Sequence, residues 1–256
     1  MHIAHFGQGS HVVFFHGCPT PPDILEPIGR ALSEHRTVHF IHSPGYGQSP
    51  ALPPGPEGPS MASIEAEMEK ALLSRGIHEA AFVGYSLGAY HALALAIRSG
   101  VRVTKIVSLA GIAHLSDEEK ALRMGAGQMM RAGTDIRSMM ASMMASPGFL
   151  QREPKCAEEI LRWMDATTPE NLLLELEAIT HCENLLPGLT RVTAPLLARV
   201  GDLDAAAPPK HSQEIVRAVP HGTLEIVPCV GHALLLEDRE GTIESVKRFL
   251  LNDDPR

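Results

Sequence analysis

The chain lacks the features that mark several large classes of protein. Its 256 residues include only four cysteines, Cys18, Cys156, Cys182 and Cys229, and none of them forms a Cys-x-x-Cys pair. Such scattered thiols favour a reduced, cytoplasmic protein over a secreted one held together by disulfides. The histidines show no ligand spacing, and there is no phosphate-binding glycine loop. We therefore expect neither a metal site nor a cofactor.

Long apolar runs and basic clusters are also missing. No stretch approaches the roughly 18 apolar residues of a membrane span, and the first residues lack the charged start and apolar core of a signal peptide. The net charge is −8 at pH 7, and no cluster of Lys or Arg stands out, which argues against nucleic acid or an anionic membrane as a partner. We expect a small-molecule substrate, and the sequence leaves open whether the chain forms a homo-oligomer.

The order of apolar patterns predicts an α/β fold with a mostly parallel central sheet flanked by helices. Short, continuously apolar runs are typical of strands buried on both faces; they cover residues 12–15, 37–41, 81–83, 105–109, 195–200 and 224–227. Helical spacing follows the second strand, at Ile64, Met68, Ala71 and Leu72, and closes the chain, at Ile243, Val246, Phe249 and Leu250. A proline-rich surface loop is predicted at 50–59.

No convincing strand is found between about residues 112 and 190, which predicts a helical insertion. Thr134 is a candidate cap for a helix whose apolar face is Ile136, Met139, Met140, Met143 and Met144, ended by Pro147-Gly148. Thr168-Pro169 begins another helix, with Leu172, Leu173, Leu176 and Ile179 on its inner side. We expect a core domain of residues 1–111 and 191–256 and a helical cap of residues 112–190. The methionines either pack the cap or line a pocket for an acyl or aryl group.

The stretch Gly84-Tyr85-Ser86-Leu87-Gly88 is the most informative motif in the chain. It joins a predicted strand to a predicted helix, as a nucleophile elbow does, where a tight turn strains the serine and requires small neighbours. The following helix directs the positive end of its dipole towards the serine, where acyl transfer builds up negative charge. The sequence therefore predicts Ser86 as a nucleophile.

A serine needs a base that is oriented by a third group, and candidates for both follow predicted strands. One strand runs into Gly201-Asp202-Leu203-Asp204, and the next runs into Gly231-His232. Because sites in parallel sheets gather at the carboxyl ends of the strands, these side chains should converge on Ser86. Asp202 and Asp204 are then alternative acids.

These ordered motifs, together with His16-Gly17-Cys18-Pro19 and Pro44-Gly45-Tyr46-Gly47-Gln48-Ser49, resemble the α/β-hydrolase superfamily in its capped esterase, lactonase and C–C hydrolase branch. The resemblance covers nearly the whole chain and implies the α/β-hydrolase fold. It also implies Ser86 as nucleophile, His232 as general base and acid, and Asp204, three residues after the glycine, as the orienting carboxylate; Asp202 is then a turn or cap residue. The oxyanion hole would be the backbone N–H groups of Leu87 and Cys18. One departure is His42, where many relatives carry Asp before the Pro-Gly loop, so local hydrogen bonding should differ there.

The leading expectation is a serine hydrolase that cleaves small to medium carboxylic esters through an acyl-enzyme. The alternative is a 3-oxoadipate enol-lactonase or a meta-cleavage product C–C hydrolase. Those enzymes need a cationic clamp for a carboxylated substrate, and Arg123, Arg131 and Arg137 are candidates for it. A non-catalytic receptor or scaffold on the same fold is a third hypothesis, which an intact triad disfavours.

Overall fold

The computed structural model describes residues 1–51 and 60–252. In this part of the chain, seven strands form one sheet: β1 (Ile3–Gly7), β2 (Ser10–Phe15), β3 (Arg36–Ile41), β4 (Glu79–Tyr85), β5 (Arg102–Leu109), β6 (Leu196–Gly201) and β7 (Gly222–Val227). Their order across the sheet is β1-β3-β2-β4-β5-β6-β7. Every neighbouring pair is parallel except β1 with β3. The predicted, mostly parallel sheet is confirmed with all six predicted strands.

The described helices precede, connect or follow these strands. They are α1 (Glu26–Leu32), α2 (Met61–Leu73), α3 (Leu87–Arg98), α4 (Asp117–Arg131), α5 (Arg137–Met144), α6 (Pro147–Arg152), α7 (Pro154–Trp163), α8 (Pro169–Thr180), α9 (Leu186–Leu189), α10 (Pro209–Ala218), α11 (Leu234–Glu237) and α12 (Arg239–Leu251), with a 3-10 turn at Met164–Ala166. Over the described ranges, every helix is too short or too polar to cross a lipid bilayer.

Helices cover both faces of the sheet, which explains why its strands are continuously apolar. Val12 and Phe14 belong to the core that includes α1 and α12. Val13 and Phe15 belong to the core that includes α2 and α3. Since each of these side chains is buried, each contributes roughly 1.5–3 kcal/mol of hydrophobic stabilisation.

Strand β1 is the strand that the apolar pattern did not predict. It lies at the edge of the sheet, pairs only with β3 in an antiparallel sense, and buries little beyond Ile3. An edge strand is stabilised by main-chain hydrogen bonds to one neighbour, so its side chains need not be apolar. Residues 52–59 of the predicted proline-rich loop lie outside the described residues.

Helices α4 to α9 all fall between β5 and β6, in the segment predicted to be an insertion. The predicted start of α8 is confirmed, because the Thr168 hydroxyl accepts a hydrogen bond from the Asn171 amide at 3.2 Å. The prediction for the methionine-rich helix after Thr134 was wrong at both ends. Helix α5 begins at Arg137 rather than just after Thr134, and it ends at Met144. Pro147 instead begins α6, since proline is well suited to the first turn of a helix, where its missing N–H is not needed.

The methionine stripe is also narrower than predicted. Ile136, directly before α5, and Met144 are buried and Met140 is half-buried; the three lie at successive turns on the inner side of the helix. Met139 and Met143 lie on its flank, 42% and 41% exposed. Because α5 has eight residues and contacts its neighbours on one side, it buries the side that carries Met140 and Met144 and leaves Met139 and Met143 partly exposed.

Candidate active site

Ser86 lies at the junction of β4 and α3 in a strained backbone conformation. Its φ of 53° and ψ of −119° lie in a region that side chains with a Cβ rarely adopt, at a cost of about 1–3 kcal/mol. The strain is held in place by the Ser86 amide, which donates to the Leu109 carbonyl at 2.8 Å. The predicted elbow is therefore present, with the hydroxyl at the N-terminus of α3.

The glycines on either side of Ser86 are required by close backbone contacts. A Cβ on Gly84 would lie 2.4 Å from the Ala89 Cα, and a Cβ on Gly88 would lie 2.1 Å from the Phe15 carbonyl oxygen. Neither contact could be relieved without moving the backbone. The Gly-x-Ser-x-Gly spacing thus follows from the tight packing of α3 against β2 and β4.

His232 and Asp204 complete a hydrogen-bonded chain with Ser86. The Ser86 Oγ lies 2.9 Å from His232 Nε2, and His232 Nδ1 lies 2.8 Å from Asp204 Oδ2. Both His232 and Asp204 are buried, so water competes little for these bonds. The three residues come from the ends of β4, β6 and β7, as the sequence predicted from strand order.

Asp204 rather than Asp202 is the acid that reaches the histidine. Its second oxygen, Oδ1, accepts from the amides of Ala206 at 2.9 Å and Ala207 at 2.7 Å. Asp202 is exposed, and its Oδ1 accepts from the Val230 amide at 3.4 Å. Asp202 therefore supports a turn, and the two carboxylates have separate environments.

The backbone around His232 is fixed by contacts on both sides. The buried Tyr85 hydroxyl donates to the His232 carbonyl at 3.0 Å. The Gly231 amide donates to Glu237 Oε1 at 2.9 Å, and the Ala233 amide donates to the Met144 carbonyl at 2.5 Å. The histidine is thus held by the elbow on one side and by the helical insertion on the other.

The amides of Cys18 and Leu87 are available beside Ser86. Within the described residues, neither amide has a hydrogen-bond acceptor in the protein. The loop that carries Cys18 approaches the nucleophile closely, since a Cβ on Gly17 would lie 3.0 Å from the Ser86 Cβ. Two free N–H groups near a nucleophile are suited to stabilise a developing oxyanion.

His16, which the sequence offered only as part of a motif, orients this loop. The Ser43 amide donates to His16 Nε2 at 3.1 Å, so the ring proton resides on Nδ1 and donates to the Gly17 carbonyl at 2.9 Å. Burial lowers the pKa of His16 to about 4, with smaller contributions from neighbouring histidines. The neutral imidazole therefore joins the loop before Cys18 to the loop that begins at Ser43.

Glu175, on α8, is a buried carboxyl group that sequence reasoning missed. It accepts a hydrogen bond from the Tyr46 hydroxyl and lies close enough to Cys18 to act on the pKa of its thiol. Burial raises the pKa of Glu175, and the pKa of the Cys18 thiol is raised well above its usual range by burial and by Glu175. The signal was its position, because Glu175 lies three residues after Leu172 and four before Ile179, on the face predicted to be buried.

The three arginines that were candidates for a cationic clamp have different environments. Arg131 pairs with Glu177, and Arg137 pairs with Asp165 at 2.8 Å, both at the surface. Arg123 is half-buried, and its charge is close enough to Cys18 to act on the pKa of the thiol. Its guanidinium donates to the Glu119 carbonyl at 3.1 Å, and of the three candidates only Arg123 has a charge effect at Cys18.

His42 is the position where the loop departs from the pattern of many relatives, and its ring makes a local hydrogen bond. Its Nδ1 accepts from the Gln48 amide at 3.1 Å. The backbone carbonyl of His42 accepts from the Ser49 hydroxyl at 2.6 Å. The loop is therefore closed by the histidine itself, and the triad is unaffected.

This combination of an elbow, a hydrogen-bonded Ser-His-Asp chain and a mostly parallel sheet is the arrangement of an α/β hydrolase. The pattern of the alpha/beta hydrolase family matches residues 12–245, and the chain belongs to that family. Among curated relatives, the pimeloyl-[acyl-carrier protein] methyl ester esterase of Vibrio cholerae is 26% identical over 253 residues, covering 95% of each chain.

Solved structures agree in fold. A thermophilic esterase from Thermogutta terrifontis superposes with a TM-score of 0.87 at 21% identity, covering 97% of this chain and 92% of that one. The enol-lactonase from Burkholderia xenovorans LB400 superposes with a TM-score of 0.84 at 22% identity, covering 98% of this chain and 96% of that one. At these identities the likeness shows a shared fold, and the chain is an α/β hydrolase with esterase-type relatives.

Proposed function

We propose that this protein is a serine hydrolase that cleaves small to medium carboxylic esters through an acyl-enzyme. The observation that carries the proposal is the unbroken hydrogen-bond chain from Ser86 Oγ through His232 to Asp204, at 2.9 and 2.8 Å. These distances allow a proton to leave the hydroxyl as it attacks. An intact chain of this kind beside a strained serine favours a catalytic role over a non-catalytic receptor or scaffold.

In the first half-reaction, His232 Nε2 takes the Ser86 proton while Oγ adds to the ester carbonyl carbon. Asp204 stabilises the resulting imidazolium at Nδ1. The carbonyl oxygen becomes an oxyanion, for which the amides of Cys18 and Leu87 are the proposed donors. The C–O bond to the alcohol then breaks, and the same proton passes from His232 to the leaving oxygen.

In the second half-reaction, water replaces the alcohol. His232 takes a proton from the water as its oxygen adds to the acyl carbonyl. Collapse of that intermediate breaks the bond to Oγ and returns the proton to Ser86. The carboxylic acid leaves, and no cofactor enters the cycle.

We further propose that residues 112–190 form a cap over the core of residues 1–111 and 191–256. Two contacts support this: Thr167 donates to the Gly45 carbonyl at 3.0 Å, and Asn171 donates to the Pro44 carbonyl at 3.2 Å. Glu175 of α8 also accepts from the hydroxyl of Tyr46, in the same loop as Pro44 and Gly45. A cap anchored in this way would determine which acyl groups reach Ser86.

A neutral ester is the favoured substrate class. Glu175 beside Cys18 would repel a substrate carboxylate if ionised, and it would leave that carboxylate without a cation if protonated. The relatives named as methyl ester esterases support including methyl esters of acyl chains among the compounds tested. Arg123 is the observation in favour of the alternative, an enol-lactonase or C–C hydrolase acting on a carboxylated substrate, because its charge acts at Cys18.

Ser86→Ala is the direct test, with p-nitrophenyl esters of increasing acyl length as substrates. We expect kcat to fall on the order of 10⁶-fold, with an unchanged circular dichroism spectrum and no labelling by a fluorophosphonate probe. Ser74→Ala, at the exposed end of α2, is the matched control and should retain the wild-type rate. A Ser86→Ala enzyme with near wild-type turnover would contradict the mechanism.

Substrate class is tested separately by assaying an enol-lactone and a dienoate beside neutral methyl and p-nitrophenyl esters. A clear preference for the neutral esters is expected from the position of Glu175. A preference for the carboxylated compounds that is lost in Arg123→Gln would instead support the alternative.

A further inference from the structure

Three side chains outside the candidate active site converge between the start of α4 and the start of α10. They are His114, in the segment that follows β5, and His211 and Glu214, which lie three residues apart on one face of α10. One nitrogen or oxygen from each lies within 4.8 Å of the other two. Their sequence separation hides them from any motif search, because 96 residues lie between His114 and His211.

The distances within this cluster suit a divalent cation. His114 Nε2 lies 2.9 Å from Glu214 Oε2, and His211 Nδ1 lies 4.0 Å from the same oxygen. Ligands about 2.0–2.2 Å from a tetrahedral zinc ion are about 3.4 Å apart. Small rotations of the partly exposed His114 and Glu214 side chains would move the three donors towards that spacing.

His211 provides the independent sign that a ligand belongs there. The side chain is only 2% exposed, and its Nδ1 has no hydrogen-bond partner among the described residues. A buried nitrogen without a partner is costly, by about 1–3 kcal/mol. A bound ion would satisfy it.

Glu119 fixes the orientation and the tautomer of the His211 ring. Its Oε1 lies 2.9 Å from His211 Nε2 and also pairs with Lys210 at 2.8 Å, while its Oε2 accepts from the Ser116 amide at 2.8 Å. Nε2 must therefore carry the ring proton, which leaves the lone pair on Nδ1, facing Glu214. A carboxylate behind a histidine is the usual arrangement in protein metal sites.

We propose that His114, His211 and Glu214 form a binding site for a divalent transition-metal ion such as Zn²⁺. The ion would take one nitrogen from each histidine and one carboxylate oxygen, leaving a fourth position for water. Because His114 precedes α4 of the insertion and α10 follows the Asp204 loop, the ion would join the insertion to the core. Its role would be structural, and the proposal is independent of the ester-hydrolase mechanism.

The test uses the full chain after treatment with a chelator and dialysis. Zn²⁺ is titrated calorimetrically, and Co²⁺ is titrated while recording its visible d–d bands, which are strong for tetrahedral nitrogen and oxygen ligation. We expect one equivalent to bind. At a free Zn²⁺ concentration a hundredfold above Kd, the Tm should rise by about 5 °C.

His114→Gln and Glu214→Gln each remove one donor and should weaken Zn²⁺ binding at least tenfold. The matched control is His221→Gln, an exposed histidine after α10 that lies outside the cluster; it should bind as the wild type does. Circular dichroism and ester hydrolysis verify that every variant is folded.

The proposal fails if the wild-type chain binds no ion, or if either donor variant keeps wild-type affinity. It also fails if the control loses binding equally, since the ion would then be held adventitiously by surface histidines. Loss confined to the two donor variants is the supporting result.

Discussion

Asp204→Asn alters one atom of the proposed triad while leaving its shape unchanged. In the wild type, Asp204 Oδ1 accepts from two backbone amides and Oδ2 accepts from His232 Nδ1 at 2.8 Å. The asparagine oxygen can retain both amide bonds, which places its NH₂ group opposite Nδ1. Because NH₂ can only donate, Nδ1 must become the acceptor and the ring proton must move to Nε2.

The consequence falls on Ser86, whose Oγ lies 2.9 Å from Nε2. A protonated Nε2 cannot accept the proton of the hydroxyl, so the base is lost although every heavy atom stays in place. For serine triads, the wrong tautomer lowers kcat by roughly 10⁴-fold at neutral pH, which corresponds to about 5.5 kcal/mol in the barrier. We expect KM and the free energy of unfolding to change little.

The assay is steady-state hydrolysis of a p-nitrophenyl ester, with urea unfolding measured on the same samples. Asp202→Asn is the matched control, because Asp202 is exposed and its side chain makes, within the described residues, only a 3.4 Å contact to the Val230 amide. Its kcat should stay within about twofold of wild type, as for most surface changes. An Asp204→Asn enzyme retaining a tenth of the wild-type rate, or an equally severe loss in Asp202→Asn, would refute the reasoning.

Two further predictions concern the residues that hold the site in place. The pKa of His16 is about 4 in the folded protein and 6.5 ordinarily. Between these pH values the unfolded chain therefore binds more protons than the folded protein does. The free energy of unfolding should fall by about 3 kcal/mol as the pH drops from about 6.5 to 4. In His16→Gln, urea unfolding should show a smaller loss over that window, and an unchanged pH dependence would contradict this role. Tyr85→Phe removes the donor to the His232 carbonyl and should cost about 1–3 kcal/mol of stability, with a lower kcat. Tyr90→Phe, which removes a 3.2 Å bond away from the triad, should lower stability while keeping kcat, and equal kcat in the two variants would rule out a positioning role for Tyr85.

Local patterns were sufficient to predict the elements whose structure depends on neighbouring residues. The elbow around Ser86 is a tight turn, so the small residues it needs are adjacent in sequence. Thr168-Pro169 predicted the start of α8 for the same reason, since a cap acts within one turn. The predicted start of α5 was wrong because the Arg137 amide donates to the Asp135 side chain at 2.9 Å. Asp135, rather than Thr134, therefore accepts from the first amide of the helix.

Strand order also predicted which residues far apart in the chain lie close together in the fold. Buried parallel strands end at one edge of the sheet, so Asp204 and His232 could be expected near Ser86. The family resemblance selected Asp204 over Asp202, which spacing alone left open. The hydrogen bonds between Asp204 and the amides that follow it explain that selection physically.

The sequence by itself determined six of the seven described strands, the elbow, and the convergence of His232 and an acid on Ser86, because each follows from local turns or from the regular geometry of parallel strands. The choice of Asp204 as that acid came from the family resemblance. Only the tertiary structure decided that Glu175 bonds to Tyr46, that β1 completes the edge of the sheet, and that His211 meets His114 and Glu214. Those contacts join segments whose relative position depends on how the insertion packs against the core. No periodicity along the chain encodes that packing, since it arises from many weak side-chain contacts made at once.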